Sequence, residues 1–131
     1  MFYRSEAAAI EYEIEHLGVA DIVICGHSEC GSTLSLLDQT RRLSPNLKSW
    51  LRHGLPSVLR LRANETLDAE LPIHNQLSQI NVLQQIEHLR SYPIVQKALN
   101  EHRLRLHAWY FNIGKAEVET YDAHIKKFVP I

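Results

Sequence analysis

Asp21-Ile22-Val23-Ile24-Cys25-Gly26-His27-Ser28-Glu29-Cys30-Gly31 joins an apolar, β-branched run to a short polar loop. The run has no polar alternation, which is the pattern of a strand buried on both faces of a parallel sheet. Gly26 is the expected strand end, and residues 32–37 are expected to open a helix. In open α/β sheets, ligand sites collect at the carboxyl ends of strands. His27 and Cys30 fall there, as H-x-x-C. Imidazole and thiolate suit Zn²⁺ in type and charge, and a helix N-terminus is a place that favours thiolate. Gly26 and Gly31 would allow the tight backbone path. The pattern alone has plainer readings. His27 can cap a backbone group, Cys30 can be a small core residue, and Cys25 reads as a buried strand residue. A Cys25–Cys30 disulfide is a further alternative, disfavoured in a reducing compartment.

Upstream, Ser5 is the expected N-cap of a helix carrying Ile10, Ile14 and Leu17 on one face, with Gly18 as its stop. Downstream, residues 40–45 form a loop. A helix from Leu47 carries Leu51, Leu55, Val58 and Leu59, and bends where Gly54 and Pro56 intervene. Leu77, Ile80, Leu83, Ile86 and Leu89 recur at three- and four-residue steps, so that face belongs to the core. Pro93 is suited to open a further short helix. Residues 104–111 and 116–121 alternate around Asn112-Ile113-Gly114-Lys115, which predicts a β-hairpin. Helix, strand, helical crossover, strand and hairpin describe an α/β domain with a right-handed crossover.

The chain has 131 residues, 45% hydrophobic and 22% charged, which fits one domain with a core. A formal charge of −1 gives no field favouring nucleic acid or an anionic membrane, so neither is expected as a partner. No stretch approaches the roughly 20 apolar residues of a membrane helix, and the acidic N-terminal segment lacks a signal-peptide core. The expected location is the cytoplasm. Two cysteines cannot form a disulfide framework there and should be thiols or metal ligands.

Glu6-Ala7-Ala8-Ala9-Ile10-Glu11-Tyr12-Glu13, Leu17-Gly18-Val19 and residues 22–31 closely resemble the β-class carbonic anhydrases. The resemblance continues through residues 81–95 and 106–111, with the following turn and Tyr121-Asp122, in the family's order. Residues 40–75 are the least diagnostic. The resemblance implies a three-layer sheet-and-helix α/β domain with a C-terminal hairpin. It also implies reversible hydration of CO₂ to bicarbonate and a catalytic Zn²⁺ with His27 and Cys30 as two of its three protein ligands. A homo-oligomer is expected on separate grounds, because an exposed strand edge favours self-association.

In that family the third ligand is a cysteine on an earlier strand, within Cys-x-Asp-x-Arg, whose aspartate and arginine form a dyad beside the metal. No cysteine precedes Cys25 here, and no Asp-x-Arg lies upstream of His27. The expectation is therefore a single domain over 1–131 that is N-terminally truncated and lacks the family's first strands. Its strand 22–25 would present a parallel-type edge open to another chain, and its activity in CO₂ hydration would be low or absent. The alternative is a non-catalytic relic of the fold, kept for oligomerisation or partner binding. Glu29, Asp21, Cys25, His53 and His74 are substitute ligands by chemistry only, and Glu29 points away from the site if it lies on the outer side of the helical turn.

Overall fold

The computed structural model describes residues 4–38 and 40–131. It contains helices α1 (Arg4–Glu15), α2 (Gly31–Leu37), α3 (Pro45–Leu51), α4 (Leu55–Arg62), α5 (Ile73–Arg90) and α6 (Pro93–Asn100), and strands β1 (Asp21–His27), β2 (Arg105–Asn112), β3 (Glu117–Asp122) and β4 (Lys127–Pro130). The strands form one mixed sheet in the order β1-β2-β3-β4. β1 and β2 pair in parallel from Asp21↔Arg105 to His27↔Phe111, and the remaining pairs are antiparallel. The parallel pair requires the helical crossover that residues 31–100 supply.

Most of these elements follow from local chemistry. Gly18 takes the left-handed conformation (φ 64) that ends α1. The expected bend falls at Gly54, where a single 3₁₀ turn, Arg52–Gly54, separates α3 from α4. Pro93 opens α6. Two expected element boundaries need correction. Ser5 lies inside α1 instead of capping it, and its hydroxyl donates to Glu6 at 2.8 Å. β1 extends past Gly26 to His27, because the parallel ladder with β2 continues to Phe111.

Ile22, Ile24 and Leu106 of the sheet pack on Ile14, Leu89, Val95, Ala98 and Leu104, so α1, α6 and the end of α5 lie under one face. Leu77, Ile80 and Leu89 of α5 are wholly buried; each stabilises the fold by about 1.5–3 kcal/mol. Outside α5 lies α4, whose buried Ser57 donates to Asn81 at 3.0 Å, while Arg60 donates to Gln84 at 3.0 Å. The sheet's other face is open along β1. Asp21, Val23, Cys25 and His27 alternate as exposed residues, and Val23 is 39% exposed. The expectation of a strand buried on both faces, with Cys25 inside it, is thus corrected. β1 is an edge strand covered on one face only among the described residues.

Gly26 lies against α5 so closely that a Cβ would stand 2.5 Å from Cγ2 of Val82 and 3.3 Å from Oγ of Ser78. Gly26→Ala is expected to destabilise the chain by about 1–3 kcal/mol in urea unfolding. In a double-mutant cycle, Val82→Ala should relieve most of that loss; additive effects would mean the approach is slack.

At the start of β1, Asp21 accepts from Arg105 at 2.9 and 3.2 Å and meets Nε2 of His107 at 2.8 Å. The Arg105 guanidinium first, and then His107, hold this carboxyl below its ordinary value of 3.8. A depressed carboxyl stabilises the fold above its unfolded pKa and loses that contribution as pH falls through its folded value. Asp21→Asn should therefore melt below the parent chain at pH 7, by a small margin because the pair is exposed. The gap should close on acidification to about pH 2, which thermal melts across pH will show.

Candidate metal centre

The loop leaving β1 is fixed from two sides. On one, the Ser28 N–H donates to the Phe111 carbonyl at 3.0 Å, and the Ile113 N–H donates to Oγ of buried Ser28 at 2.8 Å. On the other, the first turns of α5 reach across. Ser78 donates to the His27 carbonyl at 2.8 Å, and Oδ1 of Asn75 accepts the Glu29 N–H at 2.9 Å. Asn75 also donates to Oε1 of Glu29 at 3.3 Å, and Nε2 of His74 meets the same oxygen at 3.0 Å. These contacts, from His74 first and then Asn75, hold the Glu29 carboxyl below its ordinary range. Glu29 has φ 54, a conformation that costs a residue with a Cβ about 1–2 kcal/mol.

His27 is exposed at the end of β1, and its Nδ1 lies 2.8 Å from the Ser28 carbonyl. A carbonyl only accepts, so Nδ1 carries the proton and Nε2 keeps its lone pair for a metal. Cys30 is half-buried at the N-cap of α2; its carbonyl accepts from the Leu34 N–H at 3.1 Å and from Oγ1 of Thr33 at 2.9 Å. His27 and Cys30 line a single cavity of about 430 Å³ together with Ser32, Ser35, Arg41 and Leu51. Arg41 donates to Oγ of Ser35 at 3.0 Å. An imidazole and a thiol on residues that line one cavity are of the type that fits Zn²⁺ as two of its ligands.

The substitute ligands do not join them. Glu29 lies in the loop before α2, not on the outer side of a helical turn; it points to α5, and His74 goes with it. Asp21 sits at the far end of β1 with Arg105 and His107. Cys25 is exposed; its thiol donates to the Gly26 carbonyl at 3.4 Å, and partial burial pushes its pKa up. His53 is in the 3₁₀ turn between α3 and α4. Among the described residues no group of three His, Cys, Asp or Glu side chains could hold a metal ion. Gly31 is not required by space, since a Cβ there meets nothing within 4 Å. The left-handed residue of the loop is Glu29, not a glycine.

Spacing gave no hint of Asn75, Ser78 or Tyr110. Tyr110 is buried in β2, with its hydroxyl close enough to the Ser28 side chain to interact with it. Burial, reinforced by the charges of Glu119 and Glu29, pushes Tyr110 up to about 12. It stays a neutral phenol next to the loop at physiological pH.

The sequence pattern of the carbonic anhydrase family matches residues 2–118. The carbonic anhydrase of Pseudomonas aeruginosa is 34% identical over 130 residues, covering 95% of this chain and 57% of its own length. Carbonic anhydrase 1 of Escherichia coli O157:H7 is 32% identical, with coverage of 95% and 57%. The chain thus spans a little over half the length of these relatives. In three dimensions it resembles the β-carbonic anhydrase CcaA with a TM-score of 0.87 and 29% identity, covering 99% of this chain and 64% of that one. One of the tetrameric β-carbonic anhydrases of the filamentous ascomycete Sordaria macrospora matches with a TM-score of 0.74 and 33% identity, covering 88% and 59%. With its sheet order, helical crossover and H-x-x-C loop, this chain belongs to the β-class carbonic anhydrase family.

Proposed function

We propose that His27 and Cys30 are two protein ligands of a catalytic zinc in a protein that interconverts CO₂ and bicarbonate, and that this chain by itself has little of that activity. The supporting observation is that both residues line one cavity while no third His, Cys, Asp or Glu joins them among the described residues. Catalytic zinc sites use three protein ligands and an open position. Bound there, the metal supplies a nucleophile for CO₂ at neutral pH by lowering the pKa of water.

The chain's own residues prepare the site. The Ser28 carbonyl holds His27 in the tautomer that frees Nε2. Cys30 is fixed at the start of α2 through its carbonyl. Arg41 stands on the cavity wall, with its charge shared with Asp38 at 3.7 Å. The open face of β1, with Val23 exposed, supports self-association, and the Sordaria relatives are tetrameric. No helix among the described residues is long and apolar enough to cross a membrane, and a cytoplasmic location is part of the proposal. The second reading, a non-catalytic relic kept for oligomerisation or partner binding, is favoured by the same missing third ligand.

Zinc-loaded protein should retain metal weakly. His27→Ala or Cys30→Ser should each lower zinc affinity by an order of magnitude or more, read by competition with a chromophoric chelator. Stopped-flow CO₂ hydration, assayed beside the P. aeruginosa enzyme, should be lower by two or more orders of magnitude. Comparable turnover would refute the loss of activity, and zinc affinity indifferent to both substitutions would refute the ligand assignment. Zinc-free protein that self-associates normally would favour the relic.

A further inference from the structure

A ligand pair needs only two side chains delivered to one place, yet the loop between them contains a glutamate in a conformation that suits glycine. Glu29 adopts φ 54 directly between Ser28 and Cys30. Its N–H is donated to Oδ1 of Asn75 at 2.9 Å, and its carboxylate takes the Asn75 amide at 3.3 Å and His74 at 3.0 Å. Asn75 is only 6% exposed, so its amide has few alternatives. One turn further along α5, Ser78 (4% exposed) donates to the His27 carbonyl at 2.8 Å. Each residue from His27 to Glu29 therefore has a backbone group tied down: His27 and Glu29 by α5, and Ser28 by Phe111 of β2.

We propose that Asn75 is a positioning residue for the zinc ligands, holding Glu29 left-handed so that His27 and Cys30 line the same cavity, with Ser78 anchoring the His27 end. A residue with a Cβ adopts this conformation at a cost, so losing the Asn75 contacts shifts Glu29 away from it. The turn between the ligands would then open, and their separation would change. Glycine tolerates the conformation without help, so Glu29→Gly should make the loop independent of Asn75. This inference rests on the assignment of His27 and Cys30 as zinc ligands.

The experiment uses the full chain as the parent, Asn75→Ala, Glu29→Gly and the double variant. In zinc-free protein, the ¹⁵N–¹H signals of Ser28, Cys30 and Gly31 should shift in Asn75→Ala, with Glu29 amide exchange at least tenfold faster; in the double variant the Ser28, Cys30 and Gly31 signals should return. Zinc affinity should fall roughly 10–100-fold in Asn75→Ala, the range for supporting residues behind metal ligands. It should recover to within about threefold in the double variant. Recovery by glycine separates positioning from a general loss of stability, which Glu29→Gly would not repair.

Unchanged loop signals in Asn75→Ala, or a loop that moves while zinc affinity stays at the parent value, would overturn the proposal. So would a double variant that remains as weak as Asn75→Ala. If Asn75→Ala does not fold, Asn75→Leu fills the same space without hydrogen bonding and takes its place with the same expected outcomes. His27→Ala is the control for the underlying assignment. If it leaves zinc affinity unchanged, the ligand assignment fails, and the zinc-free signals still decide whether Asn75 shapes the loop.

Discussion

At Gly26 the backbone of β1 runs flat against Ser78 and Val82 of α5, with no room for a side chain between them. The next three residues depend on that approach. It brings the His27 carbonyl within reach of Ser78, and the Glu29 N–H within reach of Asn75, on one side of one helix. α5 can serve as this reference because Leu77, Ile80 and Leu89 seat it wholly in the core. The parallel ladder supplies the other constraint, carrying β1 far enough beside β2 for Ser28 to bond to Phe111 and Ile113.

Much of this architecture could be read from residues alone, because the signals were local. Gly18, Pro93 and the Gly54-Pro56 interruption act through their own backbone preferences, and the Leu77–Leu89 repeat is a property of one helix. Features that depend on distant neighbours were not legible. β4 is four residues long, begins at Lys127 and ends at Pro130, so it has little strand character until Tyr121 and Phe128 pair across it. Ser5 looked like a cap because its type suits one, but α1 begins before it. Ile22-Val23-Ile24 looked doubly buried because apolarity does not reveal whether a second layer covers a sheet.

The candidate site divides in the same way. His27 and Cys30 could be proposed from the sequence because chemistry at fixed spacing is carried by adjacent residues. Gly31 looked necessary and has open space around it, while the conformation usually reserved for glycine falls on Glu29. Nothing in Asn75 or Ser78 distinguishes them from other small polar residues on a helix. Their roles arise only when the crossover lays α5 along β1. The ion-paired Asp21, the open Val23 and the exposed Cys25 likewise take their character from standing on an edge strand with one face uncovered.

The 46 to 51 residues that separate Glu29 and His27 from the side chains that hold them have a further meaning for assembly. A zinc-finger ligand loop is short enough for the metal to organise it, and folding there waits for zinc. Here the turn bearing His27 and Cys30 is held by α5, so its shape depends on a long segment closing back on the sheet. A peptide containing only residues 22–31 would have the right atoms in the wrong ensemble.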